Sequence, residues 1–279
     1  MKAIKLAAMD IDGTLIGKNK ILTGRTRKAL TAAAAQGIHL VVASGRALQA
    51  LPKELIGIPG MEYVITSNGS SIFRLSDRKR IYAQDMMPDQ VQKLLAFYKN
   101  YDCPMEAFIC GVPYTSREYF ERPGYFGAGP ASVEYVRTTR QPVEDMRIFA
   151  EEHKNEIEGI NFILRDMELK AVMRRQLETF DGLYVTSSVP RYLEISHGSV
   201  CKQSALAWLV QKLGILPEEV AAFGDGENDL EMIQYAGLGV AMGNAVPLLK
   251  QAADLIAPAC DEDGAARVLE QLAEKRHIS

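Results

Sequence analysis

Two aspartates near the start of the sequence are spaced so that both could contact one metal ion. Asp10 and Asp12 follow an apolar run directly, and Gly13 and Thr14 come next. Alternation along a strand points Asp10 and Asp12 the same way, and the glycine lets the backbone turn so that its amides face a ligand. Two close carboxylates repel each other unless a cation or a shared proton relieves them, so the pair indicates a hard divalent metal. A solvated turn with helix-capping acids is the alternative.

A second acidic segment follows a later apolar run. Residues 224–229 read Gly-Asp-Gly-Glu-Asn-Asp. Oxygen ligands at this density suit Mg²⁺, and Asp225 at the predicted strand tip is the natural direct ligand. A dinucleotide-binding loop is the competing motif, but Asp229 stands where its third glycine should be. An acidic, capped helix is the other alternative.

Two further features could hold a phosphate group. The apolar run 40–43 ends in Ser44 and Gly45, and a serine beside backbone amides can bind a phosphate oxygen at the C-terminal edge of a sheet. Lys202 begins a predicted helix, where a positive charge opposes the helix dipole and so suggests an anionic partner. Residues 66–69 end the next strand much as Ser44 does. Each feature alone also fits an ordinary turn or a surface lysine.

The elements that must position these residues alternate between short apolar runs and segments of helical periodicity, which is typical of parallel βαβ architecture. The sequence therefore predicts an α/β fold with a doubly wound parallel sheet. The predicted strands are 3–9, 38–43, 62–66, 219–223, 238–241 and 254–257. The predicted helices between them are 24–36, 203–213, 228–236 and 264–275. The first residues are expected to form a strand rather than a signal peptide.

The middle of the chain has a different order of predicted helices and strands. This order predicts an inserted α+β domain over 86–189, between core segments 1–85 and 190–279. Its predicted helices are 88–101, 142–152 and 166–179, and its predicted strands are 104–110, 157–164 and 182–187. The stretch 112–130, rich in aromatic residues, arginine and glycine, is predicted to be a loop.

Composition excludes several classes of function. The chain is 47% hydrophobic and 24% charged, with a net charge of −3, so it lacks the basic surface that nucleic-acid or membrane binding requires. No apolar stretch approaches the roughly 20 residues that span a bilayer. The four cysteines show no C-x-x-C pair, which favours reduced thiols in the cytoplasm. The oligomeric state cannot be predicted from these features.

Taken together, the motifs resemble those of the haloacid dehalogenase superfamily of phosphatases, and within it the Cof-like group of the IIB cap subclass. The resemblance covers the whole chain and implies a Rossmann-like core with an inserted α+β cap. Residues 10–14 are similar to the first motif, 44–46 to the second, Lys202 to the third and 224–229 to the fourth. Gln203 departs from the glycine that follows the lysine in many relatives.

This resemblance implies a role for each motif residue. Asp10 would attack the phosphorus and form an aspartyl-phosphate, and Asp12 would protonate the leaving alcohol and then deprotonate water. Mg²⁺ would lie between the Asp10 carboxylate, the Asp12 main-chain carbonyl and Asp225, with Asp229 supporting its shell. The residues implied to bind the substrate phosphate are Ser44, Gly45, Lys202 and Asn228.

The cap is expected to close over the cleft and to select the leaving group. Arg117, Tyr119, Arg122 and Tyr125 are the predicted substrate contacts, because they could pair with hydroxyls or with a second anionic group. Ordinary cap packing or an interface is the alternative reading of the same cluster.

The sequence therefore predicts a Mg²⁺-dependent phosphatase that hydrolyses a small phosphorylated metabolite such as a sugar phosphate. A phosphomutase of the phosphomannomutase type shares the fold, metal and both aspartates, and is one alternative. A catalytically idle binding or regulatory protein on the same fold is the other.

Overall fold

The computed structural model describes residues 2–17 and 19–276. Its strands are β1 (Leu6–Met9), β2 (His39–Ala43), β3 (Met61–Thr66), β4 (Ser71–Arg74), β5 (Lys79–Ala83), β6 (Met105–Ile109), β7 (Val112–Ser116), β8 (Gln141–Val143), β9 (Ile157–Ile163), β10 (Leu183–Thr186), β11 (Tyr192–His197), β12 (Val220–Gly224), β13 (Leu238–Ala241) and β14 (Leu255–Ile256). Its helices are α1 (Gly24–Ala35), α2 (Lys53–Ile56), α3 (Pro88–Tyr98), α4 (Arg117–Glu121), α5 (Pro130–Thr139), α6 (Met146–Glu152), α7 (Met167–Leu177), α8 (Lys202–Leu213), α9 (Leu230–Tyr235), α10 (Pro247–Ala252) and α11 (Gly264–Arg276).

These elements form two compact units. The first contains the residues up to Gly45, Leu51–Ile81 and the residues from Cys201 onward, and the second contains Arg46–Ala50 and Tyr82–Val200. The second unit therefore extends past the predicted boundary at residue 189. The reason is that β11 pairs antiparallel with both β9 and β10, which the position of β11 along the chain does not reveal.

The sheet of the first unit has the strand order β14-β13-β12-β1-β2-β3-β4-β5. β1 lies between β2 and β12 and is parallel to both, with Met9 opposite Val42 on one side and Phe223 on the other. β1, β12 and β13 are buried along their whole length, as strands covered on both faces should be. The chain order reverses at β1, so the segments that follow β1, β2 and β12 leave the sheet at one edge, where open α/β sheets bind ligands.

Local signals fix the ends of the helices that flank this sheet. The Thr23 side chain accepts a hydrogen bond from the Thr26 amide at 3.0 Å and so caps the start of α1. The chain leaves α1 through Gly37 and leaves α8 through Gly214, both in the left-handed region that glycine favours. The structure confirms the predicted helices α1, α8 and α11 to within one or two residues of their predicted ends.

The second unit is an α+β domain around a sheet of order β10-β11-β9-β6-β7-β8. Every neighbouring pair in it is antiparallel except β7 and β8. The predicted loop over 112–130 is wrong in its first half, because β7 and α4 occupy Val112–Ser116 and Arg117–Glu121. Side chains of β7 alternate between partly buried and buried, but the surrounding aromatic and arginine residues hide that pattern in the sequence. The hairpin of β4 and β5 was also absent from the predicted elements.

Within the described residues, no helix is both long and apolar enough to cross a membrane.

Candidate active site

Asp10 lies at the C-terminal end of β1, in the middle of the first sheet. Its amide donates to the Phe223 carbonyl at 3.0 Å and extends the pairing of β1 with β12 by one residue. The residue is only 6% exposed. The crossover that places β12 beside β1 therefore brings the acidic segment 224–229 next to Asp10, although more than 200 residues separate them.

Lys202 connects these two acidic segments. Its side chain is completely buried, and its Nζ donates to Asp10 Oδ1 and to Asp229 Oδ1, both at 2.6 Å. Burial alone would lower the pKa of Lys202, but the two carboxylates outweigh it and raise that pKa above its usual value. Lys202 is therefore a permanent cation at the start of α8.

Asp229 has a second set of partners that fixes the acidic turn. Its Oδ2 accepts hydrogen bonds from the Asp225 and Gly226 amides, both at 3.0 Å. The carboxylate of Asp225 accepts a longer bond from the Thr14 hydroxyl at 3.4 Å. The turn thus holds the Asp225 side chain beside the loop that follows Asp10.

Asp10, Asp225 and Asp229 each contribute a carboxylate oxygen to a group whose oxygens lie within 4.8 Å of one another. Burial raises the pKa of Asp10 well above its usual value, and the neighbouring carboxylates add to this effect against the opposing Lys202. Burial and the charge of Asp229 likewise raise the pKa of Asp225 to about 7. When all three carboxylates are ionised, the Lys202 ammonium leaves two negative charges in excess, and this set of oxygen ligands fits one divalent cation such as Mg²⁺.

Asp12 is partly exposed and lies on the loop after β1. Its Oδ1 accepts from Lys20 Nζ at 2.7 Å in a solvent-exposed pair. Gly13 has a φ of +90°, and a Cβ there would come within 2.1 Å of Asp225 Oδ2. Glycine is therefore required for this loop to pass beside Asp225.

The predicted phosphate-binding residues are at the same sheet edge. Ser44 directly follows β2 and is 2% exposed, while Gly45 after it is partly exposed. Asn228 is 3% exposed, and its Nδ2 donates to Asn68 Oδ1 at 2.9 Å. The Asn68 amide in turn donates to the Ser44 carbonyl at 3.1 Å, so a turn after β3 joins the second and fourth motifs.

That turn is shaped by consecutive residues with positive φ. Ser67, Asn68 and Gly69 have φ values of 50°, 55° and 110°. A Cβ on Gly69 would lie 2.2 Å from the Cys201 carbonyl oxygen, directly before Lys202. A positive φ is costly for the non-glycine residues Ser67 and Asn68, and such backbone strain recurs at functional sites.

Asn244 is a candidate site residue that the sequence analysis did not identify. Its Nδ2 donates to the Gly13 carbonyl at 2.8 Å and to Asp225 Oδ2 at 3.1 Å. Its Oδ1 accepts from the Cys260 amide at 2.8 Å. The side chain therefore ties together the loops after β1 and β12, but a lone asparagine after β13 carries no sequence signal of that role.

The four predicted substrate contacts in the second unit have different surroundings. Arg117 pairs with Glu144, and Arg122 pairs with Glu118 and lies 5.3 Å over the exposed Tyr125 ring. Tyr119 is 2% exposed and packs with Val136 and Ile163. Tyr119 therefore belongs to a packed cluster, and substrate binding by all four residues stays a prediction.

Comparison with known proteins identifies the class to which this fold and site belong. Residues 7–269 match the model of the haloacid dehalogenase-like hydrolases. The chain belongs to this family. It is 28% identical over 270 residues to the 5-amino-6-(5-phospho-D-ribitylamino)uracil phosphatase YcsE of Bacillus subtilis, with 95% of this chain and 94% of YcsE covered.

Solved structures agree with this assignment. A haloacid dehalogenase-like hydrolase from B. subtilis has a TM-score of 0.83 and 26% identity, with 96% of this chain and all of the other covered. The subclass IIB sugar phosphatase BT4131, 24% identical and with 96% and 98% of the chains covered, shares the fold with a TM-score of 0.79. The predicted superfamily and Cof-like group, the predicted fold class and the predicted enzyme class, a phosphoric monoester hydrolase, are confirmed.

The first prediction concerns pH and the metal-free protein. Because the folded-state pKa of Asp225 is about 7 against an ordinary value of 3.8, the folded chain binds this proton more tightly than the unfolded chain does. The free energy of unfolding of the metal-free protein should therefore fall as the pH rises from 3.8 to about 7. The Asp225→Asn variant should show a smaller fall. Thermal unfolding in the presence of a chelator tests this prediction. The melting temperature of the variant should rise relative to that of the wild type as the pH increases. A difference in melting temperature that does not depend on pH would contradict the prediction.

The second prediction concerns Asn244. Asn244→Ala removes the donor that orients Asp225, so the Mg²⁺ concentration for half-maximal thermal stabilisation should rise about tenfold. The exposed Asn100, in the second unit, supplies the control Asn100→Ala, which should leave that concentration unchanged. Equal Mg²⁺ dependence of Asn244→Ala and wild type would show that Asn244 does not position Asp225.

Proposed function

We propose that this chain is a Mg²⁺-dependent phosphatase that releases phosphate from a small phosphorylated metabolite through an aspartyl-phosphate on Asp10. The observation that carries the proposal is the buried Lys202 ammonium, which contacts Asp10 and Asp229 at 2.6 Å each. In this pair the Asp10 carboxylate provides a nucleophile, and the buried Lys202 ammonium provides a fixed positive charge for phosphoryl oxygens.

In the first step, a carboxylate oxygen of Asp10 attacks the phosphorus. The new bond joins the Asp10 oxygen to phosphorus, and the bond from phosphorus to the substrate oxygen breaks. Asp12 gives its proton to that departing oxygen, so the alcohol leaves neutral. The Lys20 side chain, 2.7 Å from Asp12 Oδ1, must move aside for this transfer.

In the second step, Asp12 takes a proton from a water molecule, whose oxygen attacks the same phosphorus. The bond between Asp10 and phosphorus breaks, inorganic phosphate leaves, and both aspartates return to their starting states. The raised pKa of Asp10 bears on the first step, because Asp10 must be ionised to attack the phosphorus. A cation among the carboxylates offsets that shift.

The phosphate group would be held by the motifs that converge on this edge. The Ser44 hydroxyl, the Gly45 amide and the Asn228 amide group can donate to phosphoryl oxygens, and Lys202 adds a positive charge. The two neutral side chains are nearly fully buried, so water competes little for these bonds.

The residues that would hold Mg²⁺ are the Asp10 carboxylate, the Asp12 main-chain carbonyl and Asp225, with Asp229 supporting the shell. When bound, the ion supplies positive charge that stabilises the phosphoryl group in the transition state. The carboxylate oxygens of Asp10, Asp225 and Asp229, which lie within 4.8 Å of one another, are the observation that supports a divalent ion.

The first unit would be the catalytic core and the second unit the cap that selects the substrate. Sugar phosphates are the proposed substrate class, and the name of the B. subtilis relative adds a phosphorylated ribitylaminouracil to the compounds to test. The four free thiols are compatible with the proposed cytoplasmic location.

The third prediction tests the nucleophile. Asp10→Asn preserves the shape of the side chain but removes its charge, so hydrolysis of p-nitrophenyl phosphate with Mg²⁺ should fall by about 10³-fold or more. Phosphate release and circular dichroism are the measurements. Lys202 loses one of its two carboxylate partners in this variant, so the spectrum must show that the fold is retained.

Activity retained by a folded Asp10→Asn protein would contradict the mechanism. The control variant is Asp77→Asn, which changes an exposed carboxylate paired with Arg74. It should hydrolyse p-nitrophenyl phosphate as fast as the wild type does. A phosphomutase would instead interconvert sugar phosphates, and only when a bisphosphorylated sugar is added, so that addition identifies the alternative.

A further inference from the structure

The chain leaves the first unit directly after the segment proposed to bind the substrate phosphate. Ser44 and Gly45 belong to the first unit, whereas Arg46–Ala50 belongs to the second. Within the second unit, the Gln49 amide donates to the Gly111 carbonyl at 2.9 Å and holds this short segment. The peptide bond after Gly45 therefore joins the phosphate-binding segment to residues that other parts of the second unit fix.

Arg46 is the first of these residues, and its side chain lies against a tyrosine ring of the same unit. Its guanidinium carbon is 4.7 Å from the centre of the Tyr135 ring. Its Nη1 also donates to the Ala50 carbonyl at 3.0 Å. Arg46 and Tyr135 are both partly buried, so the attraction between the cation and the face of the ring is stronger than in open solvent. Tyr135 therefore helps to fix the position of Arg46.

A second guanidinium lies over the same ring. The guanidinium carbon of Arg140 is 4.6 Å from the centre of the Tyr135 ring. Its Nη1 donates to the Thr139 hydroxyl at 2.9 Å, and that hydroxyl donates to the Tyr135 carbonyl at 2.5 Å. These bonds hold Arg140 to the last turn of α5, the helix that carries Tyr135.

Glu106 allows two cations to share one ring. Its two carboxylate oxygens accept from Arg140 at 2.8 and 3.0 Å, and both side chains of this ion pair are buried. The carboxylate offsets the charge of Arg140 and so reduces its repulsion of Arg46. Replacing a buried ion pair by apolar residues is often neutral or stabilising, so stability alone does not explain this pair. Support of the Tyr135 ring beneath Arg46 does explain it.

We propose that Tyr135 is a positioning residue for the phosphatase reaction and acts through Arg46 on the segment of Ser44 and Gly45. This proposal rests on the proposed function, in which Ser44 and Gly45 bind the substrate phosphate. The ring holds Arg46, and the peptide bond from Gly45 to Arg46 carries this restraint to the groups that donate to phosphoryl oxygens. A small displacement of such donors weakens binding and catalysis, because both depend on exact orientation.

The fourth prediction tests the ring of Tyr135. Tyr135→Leu and Tyr135→Gln both remove the ring, leave the net charge unchanged and place a good helix former in α5. The dissociation constant for inorganic phosphate in the presence of Mg²⁺ should rise about fivefold in each variant, because the cation–ring attraction is lost. Tyr135→Phe keeps the ring and should bind phosphate as tightly as the wild type does. Titration calorimetry with inorganic phosphate is the measurement.

Three controls separate positioning from a general loss of structure. Tyr101 is also partly buried in the second unit, and Tyr101→Leu should leave the affinity for phosphate unchanged. The Mg²⁺ concentration for half-maximal thermal stabilisation should be the same in the Tyr135 variants and the wild type, because Tyr135 does not act on the residues proposed to hold Mg²⁺. In a protein that carries Arg46→Ala, adding Tyr135→Leu should change the dissociation constant for phosphate far less than it does in the wild type.

Three results would overturn the proposal. The first is an unchanged affinity for phosphate in both Tyr135→Leu and Tyr135→Gln. The second is an equal loss of affinity in Tyr135→Phe, and the third is a full effect of Tyr135→Leu in the protein that lacks the Arg46 side chain. A wild type that binds phosphate but hydrolyses no phosphomonoester with Mg²⁺ would instead refute the proposed function, so an assay with p-nitrophenyl phosphate distinguishes the two failures.

Discussion

The buried ammonium of Lys202 is the interaction on which the candidate active site depends. It contacts Asp10 and Asp229 at 2.6 Å each and so connects the end of β1 with the turn after β12. A buried ion pair is costly to form, and removing one partner is commonly more destabilising than the pair is stabilising. The arrangement is therefore better explained by chemistry than by stability. With Asp225 nearby, one ammonium faces three carboxylates, and the remaining negative charge favours a divalent cation.

The topology of the first sheet makes this cluster possible. β12 pairs with β1 from the opposite end of the chain, and β2 lies on the other side of β1. Glycine at position 13 then lets the loop after β1 run against Asp225, while Asn244 holds that contact with two hydrogen bonds. In the second unit, one face of the sheet carries the larger hydrophobic cluster. The opposite face carries the buried Glu106–Arg140 ion pair and a smaller cluster around Tyr119.

The sequence predicted what depends on local pattern. Strands of the first sheet follow from apolar runs, and the acidic and serine motifs follow from residue types that phosphate and metal chemistry require. Pairings between distant segments were harder to predict: β11 was assigned to the core because its partners are known only once the sheet forms. Asn244 was missed because its function lies in three contacts to other loops. The loop predicted over 112–130 failed because composition masked the alternation of β7.

The most direct measurement of the central claim is chemical trapping of the intermediate. The enzyme is mixed with p-nitrophenyl phosphate and Mg²⁺, quenched within one turnover and reduced with borohydride, which converts an aspartyl-phosphate to homoserine. Peptide mass spectrometry then locates the reduced residue. The account predicts homoserine at position 10 and at no other aspartate. Homoserine at a different position would contradict the account. So would the absence of homoserine at every quench time from an enzyme that is turning over substrate.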